Sequence, residues 1–177
     1  MQLLREEQIM ALPNHFYPMV VLGDNRKSFW SRQIKLHSHG RYSHAMWMRK
    51  PGMVVSQNGH LEEKPVRNYF LPWNRLKFFN YPTMGEVDEI MINNCLNKLL
   101  AKRSRYDWLG IVGHLFHIRK LNFPRRYYCS EAVWEPFVQV WGYWQTYPTP
   151  SELDWRLPQL GWEVVGVYDP TLQAEVR

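Results

Sequence analysis

A thiol and an imidazole are the groups in this sequence best suited to covalent chemistry. Cys129 lies within Tyr127-Tyr128-Cys129-Ser130-Glu131-Ala132-Val133. Pro124, Arg125 and Arg126 before it read as a loop or an extended arm. After it, apolar residues at 133, 137, 140, 141 and 144 mark one face of a 3.6-residue period. Cys129 is therefore expected in the first turn of a helix. First-turn amides have no intrahelical partner and sit at the positive end of the dipole. Both effects favour the thiolate, which is the nucleophile. The same N–H groups can receive the oxyanion formed when a carbonyl is attacked. The plainer alternative is a small, buried, inert residue.

A thiol nucleophile needs a base near neutral pH, and imidazole suits that task. The chain has seven histidines, at 15, 37, 39, 44, 60, 114 and 117. His44 is the one placed on a strand, sharing a face with Met46 and Met48, while Ser43, Ala45 and Trp47 take the other face. A third group must hold the ring through its far nitrogen. The returning strand places that partner near 57–59. Gln57 offers an amide oxygen, and Ser56 points away if Gln57 points inward. His60 is the alternative if a bulge shifts the register. His37, His39 and His44, and His114 and His117 at i, i+3, are the candidate metal ligands. Neither a His-Glu-x-x-His motif nor a paired-cysteine motif supports a metal site. No metal and no cofactor are expected.

Several elements must position these groups. Met19 to Leu22 reads as a strand closed by a turn at Gly23-Asp24. Ser28 caps a short helix running to Leu36. A hairpin pairs the His44 strand with 53–57 across Lys50-Pro51-Gly52, a turn at Asn58-Gly59 follows, and 76–79 adds a further strand. Gly85 to Arg103 is the clearest helix. Its apolar stripe includes Cys95, which reads as structural, and its charges run acidic to basic as the dipole prefers. A short helix is expected at 106–118. Pro136 should kink or end the helix that Cys129 opens. Ser151-Glu152-Leu153 looks like a single capped turn, and 162–168 like a last strand.

Composition bounds the setting. The 177 residues suit one domain, with a core over about 19–168 and an N-terminal extension at 1–18. Two cysteines are too few for a disulfide framework. No export signal or membrane span is evident, so a reducing, cytoplasmic setting is the default. The net charge of +6 is clustered at 102–105, 119–120 and 125–126. Such clusters suit a phosphate backbone, yet nucleic acid ranks last among the readings.

Four landmarks occur in order: Gly23-Asp24, Arg41-Tyr42-Ser43-His44-Ala45-Met46, Tyr106-Asp107, and Tyr128-Cys129-Ser130-Glu131 trailed by Thr149-Pro150-Ser151-Glu152-Leu153. Together they resemble the circularly permuted branch of the NlpC-type papain-like cysteine peptidases, in particular the YiiX/YebB-like group. Lecithin retinol acyltransferase is more distantly similar, with the same His-before-Cys order. The resemblance implies an α+β papain-like fold, an antiparallel barrel-like sheet packed against helices. It implies Cys129 as nucleophile and His44 as base, with Tyr42 and Tyr128 beside the oxyanion and substrate. The implied activity is a thiol hydrolase acting on amide or peptide bonds of the cell-wall kind. The alternatives are acyl transfer or ester hydrolysis on lipid-like substrates, and a catalytically degenerate binding protein. Close relatives carry a Glu on the strand after the histidine; Val54-Val55-Ser56-Gln57 has none.

Overall fold

The computed structural model describes residues 2–58, 60–102, 129–143 and 147–175. The expected helix at 106–118 lies outside them. The chain is α+β, with one six-stranded antiparallel sheet packed against helices. The strands are β1 (Met19–Asn25), β2 (His44–Lys50), β3 (Met53–Asn58), β4 (His60–Pro65), β5 (Asn74–Asn80) and β6 (Glu163–Tyr168). Their order across the sheet is β4-β3-β2-β1-β5-β6. The helices are α1 (Glu6–Met10), α2 (Phe29–His37), α3 (Glu86–Ala101), α4 (Cys129–Trp141), α5 (Pro150–Gln159) and α6 (Pro170–Glu175).

Period-two alternation splits the core in two. Val20, Leu22, Ala45, Trp47 and Val55 face α3, α4 and α5. Met19, Val21, Met46, Met48 and Val54 face the other way, under Leu4, Ile9 and Tyr17 from the N-terminal segment and Val66 and Phe70 beyond β4. Strand β1 lies between β2 and β5 and is buried almost throughout, as its apolar run requires. The N-terminal segment is tied to β6, where Leu4 N–H donates to the Val167 carbonyl at 2.8 Å.

Three local expectations need correction. Gly23-Asp24 does not close β1; the strand runs on to Asn25, and Asp24 is buried. Of the two outcomes expected at Pro136, a kink or an end, the end is overturned, because α4 continues to Trp141. Pro136 lacks the N–H for one ladder bond, but Val133 and Phe137 on either side of it are packed in the core, and that packing outweighs the local cost. Ser151-Glu152-Leu153 is the start of a ten-residue helix rather than a single turn. Thr149 and Glu152 form its capping box: the Thr149 hydroxyl accepts from Glu152 N–H, and the Glu152 carboxylate accepts from Thr149 N–H.

Candidate active site

Cys129 is the first residue of α4. Contacts with the Trp47 face of β2 seat this helix, and Trp47 Nε1–H donates to the Val133 carbonyl at 2.9 Å. The sulfur thereby rests against the backbone on both sides of His44. It contacts the Ser43 carbonyl oxygen at 3.9 Å, and the backbone N–H groups of Ala45, Ser130 and Cys129 lie near enough to act on its charge. Those three donors favour a thiolate. Burial opposes them and wins: Cys129 is 3% exposed and its thiol is pushed up to about 11.

The His44 ring lies on the opposite face of the strand, and His44 pairs with Gly23 across β1 and β2, where a glycine leaves room beside its Cβ. Its Nε2 is 2.8 Å from Ser56 Oγ, and the Tyr69 hydroxyl donates to that same oxygen at 2.6 Å. The Tyr69 ring stacks over the imidazole at 6.1 Å between centroids. Among the described residues no hydrogen bond joins the ring to the sulfur. Burial, and secondarily the positive charge of Lys64, lowers the His44 pKa to about 4. Thiol and imidazole are thus both neutral at rest.

The partner of the ring is Ser56, where the sequence favoured Gln57. The cause is a register shift. The hairpin pairs Lys50 with Met53 but Met48 with Val54, so one extra residue sits in β2 near its end. A one-residue slip exchanges the two faces of a strand. Ser56 therefore pairs with Met46 and lies on His44's face. Gln57 is buried opposite Leu61, on the face turned to the helices. His60 is exposed on β4, with Nε2 3.2 Å from Glu62 Oε2, and has no part in orienting the ring. Tyr128 lies outside the described residues, as do His114 and His117. Among the described residues no group of three His, Cys, Asp or Glu side chains could hold a metal. Cys95 is buried in α3, and burial pushes its thiol up to about 11.

Two supporting arrangements escaped the sequence reading. Asp24 accepts from Lys35 Nζ at 2.6 Å and from Ser31 Oγ at 3.1 Å, and Ser31 Oγ lies 2.6 Å from Ser43 Oγ. This network pins α2 to the residue before His44 and walls a cleft of about 230 Å³. Trp30, Ser31, Ser43, His44 and Tyr69 line that cleft. Ser31 and Lys35 stand at i, i+4, a spacing that could have revealed their common face. In the second arrangement Ser151 clamps the start of β2. Its hydroxyl donates to the Tyr42 carbonyl at 2.8 Å and accepts from Tyr42 N–H at 3.2 Å. Tyr42 is thus held by its backbone, and burial pushes its phenol up to about 12.

Two results are expected from this geometry. Ser151→Ala leaves a buried amide and a buried carbonyl without their partner, costing ~1–3 kcal/mol; urea unfolding measures it, and a loss within error would show that the clamp is idle. The second concerns pH. A native imidazole at about 4 binds fewer protons than an unfolded one near 6.5. Its contribution is complete above pH 6.5 and is lost as pH falls toward 4. Wild-type stability should therefore decline across that window. His44→Gln should flatten the decline, and an unchanged slope would place the ring in water.

No family model matches the chain, and no curated protein matches it. Among solved structures it is similar to YiiX from Escherichia coli O157:H7, described as a metalloprotein. The TM-score is 0.53 at 17% identity, over 71% of this chain and 66% of that one. The match therefore spans just under two thirds of YiiX. At this identity the likeness concerns the fold alone: this is a YiiX-like α+β fold, a six-stranded antiparallel sheet packed against helices, consistent with a papain-like architecture.

Proposed function

We propose that the chain is a thiol hydrolase of the circularly permuted NlpC type, acting on amide or peptide bonds with Cys129 as nucleophile and His44 as base. The seat of the sulfur carries this reading. It lies at the head of α4, against the Ser43 carbonyl beside a strand histidine, with backbone N–H groups near enough to favour its thiolate. In the reaction Cys129 Sγ bonds to the substrate carbonyl carbon, and its proton passes to His44 Nδ1. First-turn N–H groups of α4 receive the oxyanion. The imidazolium returns the proton to the leaving nitrogen as the C–N bond breaks. Water, deprotonated by the same ring, then attacks the thioester carbonyl, the C–S bond breaks, and the imidazolium returns its proton to the sulfur.

The base role fixes the tautomer. Nε2–H must donate to Ser56 Oγ, whose two lone pairs can serve both this bond and the one from Tyr69. Nδ1 is then left with its lone pair. Ser56 takes the orienting role given earlier to Gln57. Because the ring starts on the other face of β2 from the sulfur, this reading requires the first residues of β2 to turn on substrate entry so that Nδ1 and the sulfur come within hydrogen-bond reach.

A second reading is a binding protein on the same fold with a silent site. The 3% exposure of Cys129 and its thiol at about 11 favour it. Intact-mass analysis after incubation with activated acyl esters and amides separates the two. The hydrolase reading expects a one-acyl adduct on Cys95→Ala protein and none on Cys129→Ala. Equal labelling of both variants refutes Cys129 as nucleophile, and no adduct on either supports the silent site.

A further inference from the structure

Helix α2 is amphipathic in the reverse sense. Its inward side is anchored by polar residues, Ser31 and Lys35 bonding to the buried Asp24, with half-buried Ile34 beside them on the cleft. Ser38, which ends the helix, meets Ser151 Oγ. Its outward residues are apolar. Phe29 is 63% exposed, Trp30 47% and Leu36 68%. Helical spacing places exposed Arg32 between Phe29 and Leu36 on one face. Exposed Lys27 precedes the helix with its Nζ 4.0 Å over the Trp73 ring, and exposed Arg41 follows it. From Asn25 to Leu61 the sequence has no carboxylate at all.

We infer that the outer face of α2 docks on an anionic lipid bilayer, with Phe29 and Leu36 entering the acyl boundary and Lys27, Arg32 and Arg41 meeting headgroup phosphates. Two apolar side chains turned to solvent, beside cations that form no ion pair among the described residues, suit such an interface. A second copy fits poorly. A two-fold contact sets the same patch against itself, bringing the cations Lys27, Arg32 and Arg41 of one copy up to those of the other. Nucleic acid would answer the cations but leave Leu36 without a role. The docking is peripheral, since among the described residues no helix is long and apolar enough to cross a membrane. Trp30 and Ser31 of α2 line the cleft at His44. Docking would therefore place that cleft at the lipid interface; if the thiol chemistry proposed above holds, acyl lipids become its nearest substrates.

Co-sedimentation of the full chain with vesicles tests the inference without reference to Cys129. The protein should pellet with equimolar phosphatidylglycerol and phosphatidylcholine at low salt, and not with phosphatidylcholine alone. Phe29→Ser combined with Leu36→Ser should lower the partition at least ~tenfold, and Arg32→Glu should lower it as well. Thermal melts matching wild type would show that these surface variants fold. Four results would overturn the inference: no pelleting, pelleting indifferent to headgroup charge, full binding by the double variant, or a self-association that the double variant abolishes. Retention of DNA without retention of vesicles would overturn it too. Failure here leaves the acyl-adduct experiment untouched, and failure there leaves vesicle binding untouched.

Discussion

Trp47→Ala should lower the unfolding free energy by ~3–5 kcal/mol, the range for losing a fully buried large aromatic side chain. Trp47 is 1% exposed and lies between Phe137 and Trp162, at 5.6 and 5.7 Å between ring centroids. Its indole N–H also holds the Val133 carbonyl, one turn into the helix that Cys129 opens. The alanine leaves a cavity at the seam where α4 meets β2 and releases that carbonyl. Trp47→Phe removes the hydrogen bond but keeps most of the ring, so its cost should be clearly smaller. Urea unfolding of the three proteins checks both statements. A loss under ~1 kcal/mol for the alanine variant would mean that the helix is not seated as described.

The second large effect is on reactivity. His44→Gln removes the base and should slow acyl transfer to Cys129 by ~10²–10⁴-fold, the usual scale of general-base assistance. Ser56→Ala should cost less, because the ring remains but its tautomer is no longer fixed. Gln57→Ala should leave the pH dependence of the rate unchanged, since Gln57 lies on the other face from the imidazole. Intact-mass time courses in a Cys95→Ala background give all three rates. A Gln57 variant that loses the His44-dependent pH profile while Ser56→Ala keeps it would restore the original assignment.

Much of this was legible in the residues because it depends on short-range periodicity. The alternation of Ser43, Ala45 and Trp47 against His44, Met46 and Met48 is a period of two, and it holds in the fold. The α3 stripe and the start of α4 at Cys129 follow from a period of 3.6. Ala45 and Trp47 take α4, so the His44 side chain starts from the opposite face to the helix that bears the thiol. What escaped the reading depends on partners far along the chain. Gly23-Asp24 looks like a turn until Lys35 and Ser31 are known to neutralise and bond Asp24. Ser56 and Gln57 exchange faces through an extra residue near Met48 that no hairpin rule locates. Ser151 stood in the sequence as part of a short motif, and its reason appears only when it grips the Tyr42 backbone 109 positions away.

The proposal that an imidazole assists the Cys129 thiol is tested most directly by the pH dependence of single-turnover acylation at Cys129. With His44 titrating at about 4 and the thiol at about 11, assisted attack tracks the neutral ring. The rate should rise near pH 4, hold a plateau through neutrality, and lose that plateau in His44→Gln. A wild-type rate that instead climbs tenfold per pH unit toward the thiol's own titration, with or without His44, would show that only free thiolate reacts.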